Sequence, residues 1–254
     1  MKLLAPTFFA RQKNLLEVAD GGRVLVDVGA GAGENCRLLS KRFQRVVGID
    51  YNRWELGVYA DSPANVLLVN GDASRLPVAD KAADWVTCLE VLEHLPDDEA
   101  AVREIARITK AGGFAVVSVP DARYPLLFDP INWFLERLFA RHVGIGIWGF
   151  GHVRLYRAEE LQALLERHGF RVRETRHLTH WLAGGIEGYW STLLQRFVKV
   201  DAKNLGRKGK RIKPLNAPKP LLALTAFVCW LDDLLFRGSK TSIGLMVLAE
   251  KVQR

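Results

Sequence analysis

The chain has 254 residues, 49% of them apolar and 25% charged, the balance of a folded protein with one large domain or one domain carrying insertions. Its three cysteines, Cys36, Cys88 and Cys229, are spaced too widely for a disulfide framework or a metal knuckle. A reducing, cytoplasmic compartment is the simplest expectation, and Met1–Pro6 has no signal-peptide-like apolar stretch. The formal net charge of +8 is local: between Ala202 and Leu231 there are seven bases and no acid, which points to a docking patch and away from nonspecific coating of nucleic acid.

In chain order, residues 7–19 read as an amphipathic helix with Phe8, Phe9, Leu15, Leu16 and Val18 on its apolar face, ended by Asp20-Gly21-Gly22. Strands and helices then alternate: strand 23–29, helix 33–42, strand 45–50, helix 53–60, strand 66–70, strand 84–90 and a helix near 97–109. Lys110-Ala111-Gly112-Gly113 reads as a turn before a strand at 114–119. The apolar runs are continuous, which favours a parallel sheet covered on both faces and joined by right-handed crossovers. The rhythm breaks over 121–152, where Asp129-Pro130 starts a short helix and Gly144, Gly146, Gly149 and Gly151 follow. A helix at 157–168, a strand at 170–177 and a last strand at 244–249 complete the pattern. A second insertion, 181–240, holds a helix near 186–200, a basic loop at 203–213 and an apolar helix near 219–236.

The strand Val24-Leu25-Val26-Asp27-Val28 ends in three alternating glycines, Gly29, Gly31 and Gly33, and the next strand ends in an acid, Asp50. Such a strand–glycine–helix–strand–acid unit lets the backbone approach a nucleotide while the acid accepts hydrogen bonds from ribose hydroxyls. The dinucleotide register fails, because position 34 is Glu where a third glycine is required.

Asp27-Val28-Gly29-Ala30-Gly31-Ala32-Gly33 instead resembles the D-x-G-x-G-x-G motif of class I S-adenosylmethionine-dependent methyltransferases, of the quinone-biosynthesis O-methyltransferase type. Gly48-Ile49-Asp50-Tyr51-Asn52, Gly71-Asp72-Ala73 with Leu76-Pro77, and Val91-Leu92-Glu93-His94-Leu95 are similar to that family's later motifs, in the same order. The resemblance is strong over about residues 20–120 and weaker over 150–180. It implies an α/β, Rossmann-like, doubly wound sheet of seven strands with the last antiparallel, in one domain whose helical insertions are 121–152, a lid on the substrate side, and 181–240. It also implies S-adenosylmethionine as cofactor. By motif, Asp27 and Gly29 support its methionine end, with Ala30 in the same loop. Gly31 and Gly33 permit close approach, Asp50 holds the ribose, Tyr51 flanks the adenine, Asp72 binds the adenine amino group beside Ala73, and Leu89 and Glu90 face the methionine portion or the substrate.

Methyl transfer to oxygen needs alignment, a dry site and a proton acceptor. Glu90, His94 and His152 are the candidate catalytic residues, with Tyr156 a further substrate-side candidate; helix-capping roles for His152 and Tyr156, and a junction-shaping role for Glu93 and His94, are the alternatives. Glu90-x-x-Glu93-His94 also resembles the E-x-x-E-H pattern of divalent-metal methyltransferases, which implies Mg²⁺ on Glu90, Glu93 and His94 as a second option, with His142 or His152 as a further ligand. Both insertions are apolar and aromatic. An apolar helix after a basic loop suits an anionic membrane interface, so the expected acceptor is a lipid, isoprenoid quinone or lipid-linked glycan at the inner face of the membrane. A lid over a soluble small-molecule site, a dimer face, an RNA methyltransferase and a noncatalytic cofactor-binding protein are the other readings. The loop 203–213 has no interleaved aromatics for base stacking, which argues against nucleic acid.

Overall fold

The computed structural model describes residues 5–56, 62–188 and 219–252. Seven strands form one sheet: β1 (Gly22–Val28), β2 (Phe43–Asp50), β3 (Val66–Asn70), β4 (Ala83–Leu89), β5 (Thr109–Pro120), β6 (Phe170–Leu178) and β7 (Gly244–Lys251). Their order is β3-β2-β1-β4-β5-β7-β6. The first five pair in parallel, and β7 lies antiparallel between β5 and β6. This is the seven-stranded arrangement that the resemblance implies.

The continuous apolar runs are buried on both faces, as their lack of alternation requires. Val26, Val28, Val86 and Val117 pack on one side with Val102 and Ile105 of α4 (Asp98–Ile108) and Leu161 and Leu165 of α6 (Ala158–Arg167). Leu25, Val46, Trp85 and Val116 pack on the other side with Leu15 of α1 (Pro6–Val18) and Cys36 and Leu39 of α2 (Glu34–Leu39). Helix α4 starts where the Asp97 carboxylate accepts the Ala100 N–H at 2.9 Å, which satisfies one of the free donors of a first turn.

Element ends shift by one to three residues from the sequence reading, as where α2 ends at Leu39, and three regions differ further. Residues 110–113 do not leave the sheet: β5 runs through them, and a register shift opposite Ala83/Trp85, with Gly112 at φ 74°, absorbs the irregularity. The helix expected at 53–60 is α3 (Arg53–Leu56), and 57–60 lie outside the described residues. Residues 181–188 are helical; the rest of the helix expected near 186–200 and the basic loop 203–213 lie outside the described residues. In the insertions, α5 spans Pro130–Phe139 and α7 spans Lys219–Phe236. Helix α7 packs on α1, and its buried Asp232 accepts the backbone N–H groups of His180, Leu182 and Ala183, which fixes the start of the 181–188 helix.

Candidate active site

The strand order reverses between β1 and β4, and a cavity of about 1110 Å³ opens there at the carboxyl ends of the parallel strands, the place where such sheets bind ligands. The glycine loop forms one wall. Gly29, Gly31 and Gly33 sit at φ 75°, 53° and 81°, the left-handed region that glycine enters without strain. A Cβ on Gly29 would also collide with the Val91 side chain. The Gly29 and Ala30 N–H groups donate to Ile49 O at 2.8 and 3.0 Å, and the Gly31 N–H donates to Asp50 Oδ2 at 2.8 Å. Asp50 Oδ1 accepts the Asn52 N–H at 2.7 Å. The Asp50 carboxylate thus ties the glycine turn to the end of β2 while lining the cavity.

Beyond it lie Tyr51, 79% exposed at the rim, and Asp72 with Ala73. The Ser74 backbone N–H and hydroxyl both donate to Asp72 Oδ1 at 2.8 Å and hold its carboxyl below the usual range. Asp27 and Gly33 stand behind this wall: neither is among the described residues lining the cavity. Gly33 precedes α2 and backs on Leu68. Asp27 is buried, accepting from Thr87 Oγ1 at 2.7 Å and Cys36 Sγ at 3.4 Å. Burial pushes its carboxyl up to about 6.

The other end of the cavity is built from the segment after β4 and from the 121–152 insertion. Leu89 lines it, and Glu90 follows at φ 57°, an uncommon conformation for a residue with a side chain. Ser118 Oγ donates to Glu90 Oε1 at 3.0 Å, and Arg11 Nη2 lies 2.9 Å from Glu90 Oε2. A 3₁₀ turn, Leu92–His94, comes next. Glu93 is fully buried, and neither carboxylate oxygen has a hydrogen-bond partner. Burial first, and the Glu90 charge second, push its carboxyl well above the usual range. His94 Nδ1 faces Gly151 O at 3.2 Å, and its Nε2 lies 3.7 Å from Glu93 Oε1.

The His152 ring centroid is 4.9 Å from that of His94, and its Nδ1 is buried without a partner. Burial, and then His94, lower His152 to about 4. Glu93, His94 and His152 therefore offer ligand atoms within 4.8 Å of one another. Glu90 stands apart from this trio, turned to Arg11 and Ser118. His142 stacks on Trp148 at 3.7 Å instead of joining the trio. Tyr156 is not a lining residue; its hydroxyl donates to Asp98 Oδ2 at 2.5 Å and braces α4.

The 121–152 insertion is held by a buried polar knot. Asp129 Oδ2 accepts Asn132 Nδ2 at 2.8 Å and the Ile147 N–H at 2.9 Å, and Asn132 Oδ1 accepts the Val143 N–H at 2.8 Å. This folds α5 against the glycine-rich stretch and delivers Ile147, Phe150 and His152 to the cavity. Several lining residues have no marker in the sequence, among them Thr7 and Arg11 of α1, Glu187 of the 181–188 helix, and Ile243. Phe8, read only as part of an apolar face, also lines the cavity.

The methyltransferase-domain family matches residues 5–175. A "Probable S-adenosylmethionine-dependent methyltransferase" of Mycolicibacterium smegmatis is 30% identical over 161 residues, 63% of this chain and 56% of that protein. The demethylmenaquinone methyltransferase of Staphylococcus aureus is 31% identical over 183 residues, 66% of this chain and 76% of that protein. Against the first curated relatives the chain spans about half of their length. Among solved structures, a SAM-dependent methyltransferase of Thermotoga maritima superposes with a TM-score of 0.60 at 16% identity, covering 98% of this chain and 91% of that one. The glycine turn at the end of β1, the acid closing β2, the sheet order and the match over residues 5–175 converge, and the chain belongs to the class I S-adenosylmethionine-dependent methyltransferases.

Proposed function

We propose that the protein transfers a methyl group to a hydroxyl of an apolar acceptor, a lipid, isoprenoid quinone or lipid-linked glycan, taken from a membrane surface. The bound cofactor supplies an electrophilic methyl on a sulfonium, displaced in line by the acceptor oxygen. The chain's residues align the partners, exclude water and accept the proton. His94 takes that proton at Nε2: its Nδ1–H donates to Gly151 O, which fixes the tautomer and leaves Nε2 as the acceptor. Leu89, Phe128, Ile147 and Phe150 supply dry walls.

The observation that carries the acceptor class is exposed apolar surface on the two insertions, the first of which reaches the cavity at Phe150. Phe150 lines it and is 57% exposed. Phe134, Leu138 and Phe139 of α5, and Leu224, Phe227 and Trp230 of α7, are exposed too. Exposed apolar surface of this extent marks an interaction site. No helix among the described residues is long and apolar enough to cross a membrane, so the contact proposed is interfacial. The name of the Staphylococcus aureus relative, a demethylmenaquinone methyltransferase, supports an isoprenoid acceptor. Flotation with neutral and with anionic liposomes tests the reading: binding to anionic vesicles is expected. Absence of binding to both, with turnover on a soluble acceptor, refutes it.

A second reading rests on the unpartnered atoms. Glu93, His94 and His152 fit a divalent cation, because two carboxylate oxygens and a ring nitrogen are buried there without donors. Such an ion would acidify the acceptor hydroxyl.

A further inference from the structure

We propose, resting on the membrane-surface reading above, that the edge formed by α5 and the stretch after it, residues 131–146, is a docking surface for an anionic lipid bilayer and seats the cavity mouth against it. Helix α5 is inside out. Of its ten residues only Asn132 is buried. Ile131, Phe134 and Leu138, at i, i+3 and i+7 on one face, and Phe139 beside them are each more than half exposed. A helix of a folded protein ordinarily turns such a face to the core. Here the inward contacts are polar: Asp129 Oδ1 accepts the Asn132 N–H at 3.2 Å, Asn132 Nδ2 donates to Ile145 O at 2.9 Å, and Trp148 Nε1 donates to Glu136 Oε1 at 2.5 Å. They hold the helix in place with its apolar face outward.

Charge decides what covers that face. Every residue from Arg137 to Gly146 is exposed, and the stretch holds two arginines and no acid. Arg137 lies over the Trp133 ring, 4.0 Å from its centroid, and neither it nor Arg141 pairs with a carboxylate among the described residues. Apolar side chains set between unpaired cations suit a bilayer surface: the apolar groups enter the acyl boundary while the guanidinium heads stay among lipid phosphates. A second copy of the chain fits less well, because an isologous contact lays one basic face on another. Helix α7 differs in charge. Arg237, which follows its exposed apolar face, is taken up by Asp233 at 3.0 Å.

The same stretch reaches the cavity. Val143 and Ile145 are exposed, and Ile147, Phe150 and His152 line the cavity just beyond them. Asn132 Oδ1 accepts the Val143 N–H and Asp129 Oδ2 accepts the Ile147 N–H, so one pair of buried side chains braces the outward and the inward part. An acceptor dissolved in the bilayer then meets the mouth at Phe150 without crossing water.

Vesicle flotation of the full chain, with amide hydrogen exchange on the bound protein, tests this. The vesicles are phosphatidylcholine alone and phosphatidylcholine mixed with phosphatidylglycerol. Wild-type protein should bind the anionic vesicles ~10-fold or more tightly than the neutral ones. Arg137→Gln with Arg141→Gln should weaken that binding ~10–30-fold, and Phe134→Ser with Leu138→Ser ~10-fold or more. Phe227→Ser with Trp230→Ser on α7 should hold it within ~3-fold. An unchanged thermal melt and unchanged S-adenosylmethionine affinity certify the fold of each variant. Exchange needs no variant: anionic vesicles should slow the amides of 134–146 in the wild type. Vesicle binding with those amides unslowed, with protection confined to α7 or to the 203–213 loop, or with loss only in the α7 variant, overturns the proposal and leaves the membrane-surface reading standing. A dimer that Leu138→Ser splits, with no vesicle binding, assigns the face to a second copy and overturns both, as does absence of binding to either vesicle.

Discussion

Asp27→Asn should make the protein more stable at neutral pH, with a gain that itself depends on pH. Asp27 is 1% exposed at the end of β1, beneath the glycine turn, and accepts from Thr87 Oγ1 and Cys36 Sγ. Burial outweighs those two hydrogen bonds and raises its carboxyl from 3.8 to about 6. The folded protein therefore keeps this proton across a window in which the unfolded chain has lost it. The contribution of this carboxyl to stability falls as pH rises from about 4 to about 6 and is level above that. The gap between the two values is worth ~3 kcal/mol at 1.36 kcal/mol per pH unit. Asparagine is neutral at every pH and keeps an oxygen for Thr87, so it escapes the penalty. Urea unfolding of both proteins from pH 4 to pH 8 checks this. The difference in ΔG between Asp27→Asn and wild type should grow in favour of the variant by ~3 kcal/mol between about pH 4 and pH 6, then hold constant. A difference that does not change with pH, or one that grows against the variant, would show that the carboxylate is ionised and welcome in the fold, and would refute the reasoning.

Gly29→Ala should abolish tight cofactor binding: the new Cβ collides with Val91 and the residue keeps φ 75° at a cost of ~1–3 kcal/mol. Calorimetry with S-adenosylmethionine and a thermal melt read the two effects, and wild-type affinity would mean that the turn shifts freely. Chelation separates the two accounts of the proton. Loss of activity in excess EDTA, restored by Mg²⁺, is expected if Glu93, His94 and His152 hold a cation; full activity in chelator leaves His94 as the acceptor.

The wall built on the glycine turn was legible because its marked residues stand at strand ends. Gly29, Asp50 and Asp72 stand at or just past the ends of apolar runs, and a parallel sheet brings the carboxyl ends of its strands together whatever the connecting helices do. The opposite end of the cavity was much less legible. Glu90, Glu93 and His94 look like one face of an α-helix in sequence, at i, i+3 and i+4. In the structure Glu90 makes a left-handed turn and residues 92–94 form a 3₁₀ turn, so Glu90 swings to Arg11 while Glu93 and His94 face His152. Arg11 and Ile243 flank the same space from opposite ends of the chain. The packing of α1 on α7, β6 and β7 and the antiparallel entry of β7 bring them together, and none of these leaves a local pattern.

The same contacts that shape the acceptor end also orient its chemistry. The Val153 N–H donates to Glu93 O at 2.8 Å, and His94 Nδ1 faces Gly151 O at 3.2 Å. Both tie the end of the lid to the segment after β4. The knot of Asp129 and Asn132 fixes the rest of that lid, including Ile147 and, through it, the wall beside Phe150. The 121–152 insertion therefore also sets which nitrogen of His94 faces Gly151 O and how close His152 stands to it. Changes in the lid should move acceptor preference and proton transfer together, whereas the glycine turn and Asp50, which share no hydrogen bond with the lid among the described residues, should serve the cofactor independently of it.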